Sequence, residues 1–280
     1  MIRRVWVNGV TLEQGDTAAL SVADRGLAYG DGLFETIRIS GGRPLLFDAH
    51  MSRLGSSAAA LGIVFDADAA ATAFAGFLVG SDEAVAKIIL TRGNSGRGYL
   101  PDPHAPSTLI FTLHPEMFWP PEHATQGIVA TVCQQPLGIS PLLAGHKHLN
   151  RLEQVLLRRE LATHEGASEA LVLDVGEHVV EGVFSNVFWV QDGVLHSPRL
   201  DRAGVRGVMR QALQAEALRA GIPFEEGEYR LEQVLAADEV FFCNSLYGIW
   251  PVRQLAAIER MPGPITRRLQ RYWDEMLGGS

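Results

Sequence analysis

The N-terminal half contains FETIRISGGRPLL at residues 34–46, and this stretch predicts how that half folds. Ile37 and Ile39 alternate with Thr36 and Arg38, which is the period-2 pattern of a strand with one buried face. The residues 40–42 (SGG) then supply a turn, and the short run at 43–46 supplies a second strand. The stretch therefore predicts a β-hairpin.

Elements around the hairpin extend the prediction. A helix starts with Asp48 as its cap and runs to about Leu61, where Gly62 ends it. The other predicted elements are a strand at Val5–Asn8, an Ala-rich helix at Asp68–Leu78 and strands at Val85–Thr91 and Thr108–Leu113. Residues 1–114 are therefore expected to form an α+β domain with an antiparallel sheet.

Clustered prolines in HPEMFWPPE at residues 114–122 cannot continue a helix or a central strand, so we expect an interdomain linker at 115–125. Residues 126–280 are expected to form the second domain. Its predicted elements are strands at Ile128–Cys133, Ala170–Asp174, Val187–Gln191 and Val240–Cys243, and helices at Leu149–His164, Val205–Arg219 and Ile265–Leu277.

Composition narrows the class of protein. The net charge is −8, whereas a general nucleic-acid binder usually carries a basic stripe. No apolar run approaches the ~20 residues of a membrane span, and the first residues lack the apolar core of a signal peptide. Cys133 and Cys243 form no metal-ligand spacing, so no metal site is expected. These features indicate a globular cytoplasmic enzyme with no nucleic-acid or membrane partner.

Lysine is rare in this chain, which has only Lys87 and Lys147 against twenty-two arginines. A desolvated lysine amine can lose its proton and act as a nucleophile, whereas a guanidinium keeps its charge. Lys147 lies in AGHKHLNR at residues 144–151, and we interpret it as the amine that forms a Schiff base with an aldehyde cofactor. Lys87 alternates with apolar residues as an exposed strand position would, and we interpret it as structural. Composition bias alone would also explain the scarcity.

A pyridoxal phosphate site needs, besides the amine, an acid that faces the pyridine nitrogen and a nest for the phosphate. Glu181, beside Gly182 in an apolar stretch, is the candidate acid. Candidates for the phosphate are Arg53 on a helix, the N–H groups of AGVRG at 203–207 at a helix start, and Asn244-Ser245 at a strand end. Taken one at a time, each has an ordinary structural explanation: an acid in a tight turn, a surface arginine, a Gly-containing helix start.

Together these segments resemble the class IV aminotransferases, the fold type IV pyridoxal phosphate enzymes, nearly end to end. The resemblance is carried by SVADRG (21–26), GDGLFET (30–36), HMSRL (50–54), the Lys147 segment, EGVFSNVF (181–188) and Asn244-Ser245. It implies a small N-terminal α+β domain, a larger C-terminal mixed α/β barrel-like domain, and a homodimer. It also implies that Lys147 carries the cofactor and Glu181 faces the ring nitrogen. The phosphate would then be held by Arg53, the amides of Val205 and Arg206, and Ser245.

Within the family, TRGNSGRGY (91–99), HLNRLEQVL (148–156) and LDRAGVRGVMR (200–210) resemble the 4-amino-4-deoxychorismate lyases more than the transaminases. D-amino acid transaminases have an Arg–x–His pair where this chain has Arg97-Gly98-Tyr99, and tend to have Tyr where it has Phe34. The resemblance implies a carbon–oxygen lyase of folate biosynthesis that converts 4-amino-4-deoxychorismate to 4-aminobenzoate and pyruvate. Thr36 is then a candidate for proton transfer, and Arg97, Tyr99 and Phe34 are candidates for substrate binding.

Two other functions stay open. One is a transaminase on the same scaffold, acting on branched-chain or D-amino acids. The other is a non-catalytic dimeric protein that retains the fold, which would bind no cofactor.

Overall fold

The computed structural model describes residues 2–13, 16–96 and 98–278. It divides into two compact units: unit 1 comprises the described residues up to Met117 together with His146–Asn150, and unit 2 comprises Phe118–Gly145 and the chain from Arg151 onward. The boundary at Met117 falls inside the expected linker. The short excursion at 146–150, which carries Lys147, belongs to unit 1, although the sequence placed it in the second domain.

Unit 1 is built on an antiparallel sheet with two helices packed on one face. The chain order is β1 (Arg4–Val7), β2 (Val10–Glu13), α1 (Arg25–Tyr29), β3 (Gly32–Ser40), β4 (Arg43–Pro44), α2 (Phe47–Leu61), α3 (Ala67–Phe77), β5 (Ala84–Thr91) and β6 (Thr108–Pro115). The strand order in the sheet is β2-β1-β6-β5-β3-β4. The predicted hairpin is β3 and β4, although β4 has only two residues.

The core of unit 1 follows from the alternation along β3. Leu33, Ile37 and Ile39 are fully buried against α2 and α3, whereas Phe34, Thr36 and Arg38 lie on the opposite face. Phe74 and Phe111 meet edge to face at 5.2 Å between ring centroids. Each such buried aromatic contributes about 1.5–3 kcal/mol of hydrophobic stabilisation, so these rings stabilise the packing of the sheet against the two helices.

The cap of α2 was predicted wrongly. The residue that precedes the helix is Leu46, in a left-handed conformation (φ 53°), and Asp48 lies in the first turn instead of capping it. The C-terminal end was predicted correctly, because Gly62 adopts φ 64° and its N–H donates to carbonyls of the last turn.

Unit 2 contains a mixed sheet flanked by helices. Its elements are α4 (Glu122–Thr125), β7 (Ile128–Val132), α5 (Leu152–Leu161), β8 (Glu169–Leu173), β9 (Val179–Gly182), β10 (Asn186–Gln191), β11 (Val194–Pro198), α6 (Val208–Arg219), β12 (Phe224–Gly227), α7 (Leu231–Leu235), β13 (Glu239–Asn244), β14 (Gly248–Leu255), β15 (Ile258–Glu259) and α8 (Pro264–Met276). The sheet order is β12-β11-β10-β13-β14-β7-β8-β9, and β15 pairs with β14.

Three pairs in this sheet are parallel (β7 with β8, β14 with β7, β11 with β12), and the others are antiparallel. The mixture of helices and sheets in both units agrees with the predicted α+β class. Two predicted helices begin three residues late: α5 starts at Leu152 and α6 at Val208. No helix in the described part of the chain combines the length and the apolar character needed to cross a bilayer.

Candidate active site

The Lys147 segment is held as a short extra strand against β3 of unit 1. The N–H of Phe34 donates to the carbonyl of Lys147 at 2.9 Å, and the N–H of Leu149 donates to the carbonyl of Gly32 at 2.9 Å. A side chain at Gly32 would collide with this arrangement, because its Cβ would lie 2.8 Å from Leu149 Cδ1. This pairing explains why α5 starts only at Leu152, since residues 147–149 are extended.

Flanking contacts fix the two ends of the segment. The ring Nδ1 of His146 lies 2.8 Å from Oγ of Ser57 on α2. The side-chain amide of Asn150 donates to the carbonyl of Gly30 at 3.1 Å. Lys147 itself is half-buried, and its Nζ lies 4.3 Å from the centroid of the Phe34 ring. The amine therefore lies over an aromatic face instead of extending into solvent.

A buried carboxylate organises the arginine that the sequence assigned to the phosphate. Arg53 on α2 donates from Nε to Oε1 of Glu35 at 2.8 Å, and its Nη2 donates to Oε2 of the same residue. His50 Nδ1 lies 2.6 Å from that second oxygen. Burial opposes ionisation of Glu35, but the charge of Arg53 and the hydrogen bonds from His50 and Arg53 outweigh it and hold the pKa well below its usual range. Burial also lowers the pKa of His50 despite this carboxylate.

The other unit 1 residues with predicted roles lie around β3. Phe34 and Thr36 are on the face of β3 away from the core, and Thr36 is opposite Lys87 in the register with β5. Tyr99 is 88% exposed, and its ring lies 5.7 Å from that of Tyr29. Arg97 lies outside the described residues. The proposed contacts of Tyr99 and Arg97 with substrate therefore stay predictions.

In unit 2 the candidate acid is held by neutral amide donors. Glu181 is buried at the end of β9, and its Oε2 accepts the N–H of Val205 at 2.9 Å and the side-chain amide of Asn186 at 3.5 Å. Asn186 also donates to the carbonyl of Val205 at 2.9 Å and accepts the N–H of Gly207 at 3.1 Å. The loop at 204–207 is thereby fastened to the acid. Gly204 (φ 80°) has no room for a side chain, whose Cβ would lie 3.1 Å from Glu181 Oε2.

The backbone N–H groups of residues 205 and 206 were expected to bind the phosphate at the start of a helix, but the helix begins later. Residues 205 and 206 precede α6 instead of opening it, so their N–H groups are not the free donors of a helix start. The N–H of Val205 is bonded to Glu181, and the N–H of Arg206 donates to the carbonyl of Gly145 at 3.1 Å. A phosphate would have to share or replace these bonds. Ser245 lies in the turn between β13 and β14, as expected from the sequence.

Gly182, beside the candidate acid, leaves open the space that a side chain would fill in any other residue. In the structure the space is taken by side chains of the same unit: a Cβ there would lie 2.3 Å from Ser185 Oγ and 3.0 Å from the carboxyl carbon of Glu169. The glycine is therefore explained by internal packing beside Glu181.

Sequence reasoning missed two residues of these clusters, Glu35 and Asn186. Glu35 is an acid at an inward position of β3, where its neighbours at i−2 and i+2 are Leu33 and Ile37. A charged residue in a buried alternation is a usable signal, because such a group must be paired. Asn186 gave no signal of its own.

The residues present fit pyridoxal phosphate. Taken separately, unit 1 contains a half-buried amine at Lys147 and an oriented guanidinium at Arg53, and unit 2 contains a buried carboxylate at Glu181 and a hydroxyl at Ser245. A buried carboxylate is suited to a cationic partner such as a protonated pyridine nitrogen, because a nearby positive charge favours its ionised form. These are the functional groups that such a cofactor requires of a protein.

The sequence model of the amino-transferase class IV family matches residues 32–255. An aminodeoxychorismate lyase of Vibrio harveyi is 37% identical over 275 residues, covering 95% of this chain and 97% of that protein. A putative branched-chain-amino-acid aminotransferase of Methanocaldococcus jannaschii is 30% identical and covers 98% and 96%.

Among solved structures, the crystal structure of 4-amino-4-deoxychorismate lyase from Pseudomonas aeruginosa superposes with a TM-score of 0.92 at 44% sequence identity, covering 97% of this chain and 98% of that one. This similarity confirms the fold expected from the resemblance.

Proposed function

Because the chain belongs to the class IV amino-transferase family, we propose that it is a pyridoxal phosphate-dependent 4-amino-4-deoxychorismate lyase, which forms 4-aminobenzoate and pyruvate. The observation that carries this proposal is similarity to lyases along the whole chain, at 37% identity to the Vibrio harveyi protein and 44% to the Pseudomonas aeruginosa protein. The branched-chain aminotransferase relative, at 30%, keeps a transaminase as the second candidate.

The central role is assigned to Lys147. When bound, pyridoxal phosphate supplies an electron sink that stabilises negative charge on the substrate carbon bearing the amino group. The Nζ of Lys147, once neutral, removes the proton from that carbon. The bond between the neighbouring carbon and the enolpyruvyl oxygen then breaks, its electron pair leaves with the oxygen, and protonation of the released enolate at carbon gives pyruvate. The ring that remains is aromatic, which favours the lyase outcome.

The other residues bind and orient. Glu181, anchored by Val205 and Asn186, would face the pyridine nitrogen of the bound cofactor and favour its protonated form. Arg53, oriented by Glu35, binds the phosphate together with Ser245, and the amides of Val205 and Arg206 would contribute by sharing or replacing their bonds to Glu181 and Gly145. Phe34 provides an apolar face beside the amine that limits access of water.

The resemblance to the lyases also assigns residues to substrate binding and to proton transfer. Thr36, two residues from Phe34 on the same face of β3, assists proton transfer or positions the substrate. Arg97 and Tyr99 meet a substrate carboxylate.

We also propose a homodimer in the cytoplasm. Helix α5 supports the dimer, since Leu152, Val155 and Leu156 are 71%, 52% and 47% exposed and lie at i, i+3 and i+4 on one helix face, where a second chain could cover them. Both cysteines, Cys133 and Cys243, are buried free thiols, as is usual in a reducing compartment. Sedimentation analysis tests the assembly.

The test of function is to incubate the purified protein, loaded with pyridoxal phosphate, with 4-amino-4-deoxychorismate and no keto acid. Release of pyruvate and 4-aminobenzoate in equal amounts supports the lyase. Amino-group exchange that requires an added keto acid, without pyruvate release, would identify a transaminase. A protein that acquires no cofactor absorbance would be the non-catalytic alternative.

A further inference from the structure

The two lysines of the chain approach one aromatic ring. Lys147 Nζ lies 4.3 Å from the centroid of the Phe34 ring, and Lys87 Nζ lies 4.8 Å from the same centroid. Lys87 had been interpreted as an exposed structural position, but it is half-buried on β5. A second ammonium group is therefore present at the Phe34 ring that Lys147 also approaches.

The register of the sheet places Lys87 on the functional face of unit 1. Lys87 is directly opposite Thr36 on β3 and Thr112 on β6. Directly opposite residues of antiparallel strands project from the same face of the sheet. Phe34 and Thr36 are on that face, whereas Leu33, Glu35 and Ile37 project from the other face. Lys87 therefore lies on the same face of the sheet as Phe34 and Thr36, two residues already assigned to the reaction.

Lys87 has no anionic partner among the residues that the structure describes. Its contact is with the Phe34 ring, and no described carboxylate lies within 4 Å of Nζ. Glu116, an acid at the end of the neighbouring strand, accepts a hydrogen bond from Arg38 at 2.9 Å. His114, on β6, adds no negative charge. Burial accordingly lowers the pKa of Lys87, with no opposing contribution from an acid.

A half-buried ammonium without a counter-ion is costly, and an anionic ligand would relieve that cost. The proposed substrate has two carboxylates, one on its ring and one on the enolpyruvyl group, and the one guanidinium assigned to the substrate so far, that of Arg97, would leave one of them unmatched. A branched-chain amino acid has only one carboxylate. The charge of Lys87 therefore suits a dicarboxylate better than the substrates of the alternative function.

We propose that Lys87 binds one carboxylate of the substrate and so selects cyclic dicarboxylates over monocarboxylate amino acids. This inference rests on the proposed lyase function. It assigns Lys87 to substrate binding and leaves proton transfer to Lys147.

Chorismate is the probe that isolates this contact, because it has both carboxylates but a hydroxyl in place of the amine, and so cannot become covalently attached to the cofactor. Binding of chorismate to the holoenzyme is measured by titration calorimetry for the wild type, K87M, K87R and T112V. T112V is the matched control, since Thr112 is the register partner of Lys87 on the same face and has no assigned role in the reaction. K87Q replaces K87M if the latter does not fold.

The expected result is that K87M weakens chorismate binding and raises the KM for aminodeoxychorismate by about tenfold to a hundredfold, the loss typical of a hydrogen bond to a charged group. K87R should recover most of this loss, and T112V should stay within about threefold of the wild type. Cofactor absorbance should be unchanged in all variants, because Lys147 is intact.

Wild-type affinity and KM in K87M, with the wild type releasing pyruvate, would overturn the role of Lys87 and leave the lyase proposal standing. A wild type that turns over no aminodeoxychorismate but binds chorismate through Lys87 would overturn the proposed reaction alone. A wild type that neither binds chorismate nor releases pyruvate would overturn both.

Discussion

Arg53 approaches Glu35 with two of its nitrogens, Nε donating to Oε1 at 2.8 Å and Nη2 donating to Oε2. This fork fixes the plane of the guanidinium, because both donors are bonded to one rigid carboxylate. The carboxylate is itself immobile, since it is fully buried and lies 2.6 Å from His50 Nδ1. Glu35 is thus a positioning residue for the proposed phosphate-binding arginine.

Replacing Glu35 with Gln should therefore affect both stability and cofactor binding. We expect Glu35→Gln to lower the free energy of unfolding by about 3–5 kcal/mol, because a buried charge of Arg53 loses its partner. We also expect weaker binding of pyridoxal phosphate, measured by equilibrium dialysis. Glu116→Gln is the control, since its partner Arg38 is partly exposed and the pair should contribute less than about 1 kcal/mol. Equal losses in the two variants would refute the buried-pair account.

Local patterns predicted the parts of the fold that depend on sequence periodicity. The alternation along β3 and the glycine that ends α2 are local signals, and both were found in the structure. The starts of α5 and α6 were misplaced because residues 147–149 and 205–206 make backbone bonds to distant strands and loops. Such bonds override helix propensity, and no window of sequence contains them.

In the candidate site as well, residue identities could be predicted from the sequence, whereas their contacts with distant residues could not. Lys147, Glu181 and Arg53 were assigned by residue type and by resemblance, and the structure describes the surroundings of each. The proposed role of Lys87 could not be inferred from the sequence, because alternation with apolar neighbours is the same for a solvent-facing strand position and for one that faces a ligand. The contact of Lys87 with the Phe34 ring distinguishes the two cases, and Phe34 lies on another strand that no local pattern around Lys87 includes.

Lys147→Ala should abolish the yellow absorbance of lysine-bound cofactor and reduce turnover by roughly a thousandfold or more, because both the attachment point and the base are lost. Lys147→Arg should fail as well, since a guanidinium stays protonated. Borohydride reduction of the wild type followed by peptide mass spectrometry should place the pyridoxyl group on Lys147. The peptide with Lys87 serves as an internal control and should stay unmodified. Normal turnover in Lys147→Ala would show that another residue is the base.

Glu181→Ala should retain some cofactor yet lose rate by about a hundredfold, because the electrostatic support of the protonated ring is removed. Turnover and cofactor content are measured on the same samples, so that the two effects separate. Glu177→Ala is the matched control: it removes an 85% exposed carboxylate side chain of the same unit, and its activity should equal that of the wild type. An unchanged rate in Glu181→Ala would remove this residue from the mechanism.

Glu169 is a fully buried carboxylate near the candidate acid. Its Oε2 accepts the hydroxyl of Ser185 at 2.6 Å, and its Oε1 accepts the N–H groups of Ala170 and Val183 at 2.9 and 3.0 Å. Burial raises the pKa of Glu169 to about 7, although these hydrogen bonds oppose the shift. Nearby Cys133 and Tyr247 have pKa values raised by burial, so both are neutral in the range where Glu169 titrates.

Glu169 should therefore make stability fall as the pH rises. The folded protein holds this proton up to about pH 7, whereas an unfolded glutamate releases it near pH 4.5, so the free energy of unfolding should decrease between these values by on the order of 3 kcal/mol, at about 1.4 kcal/mol per unit of pKa. Urea denaturation of the wild type and Glu169→Gln at pH 5 and pH 8 measures this, and the difference between the two proteins isolates Glu169 because the histidines titrate in both. Ser185→Ala removes a hydrogen bond that favours the ionised form and should extend the decrease to higher pH. A Glu169→Gln protein with the wild-type pH dependence would contradict the assignment.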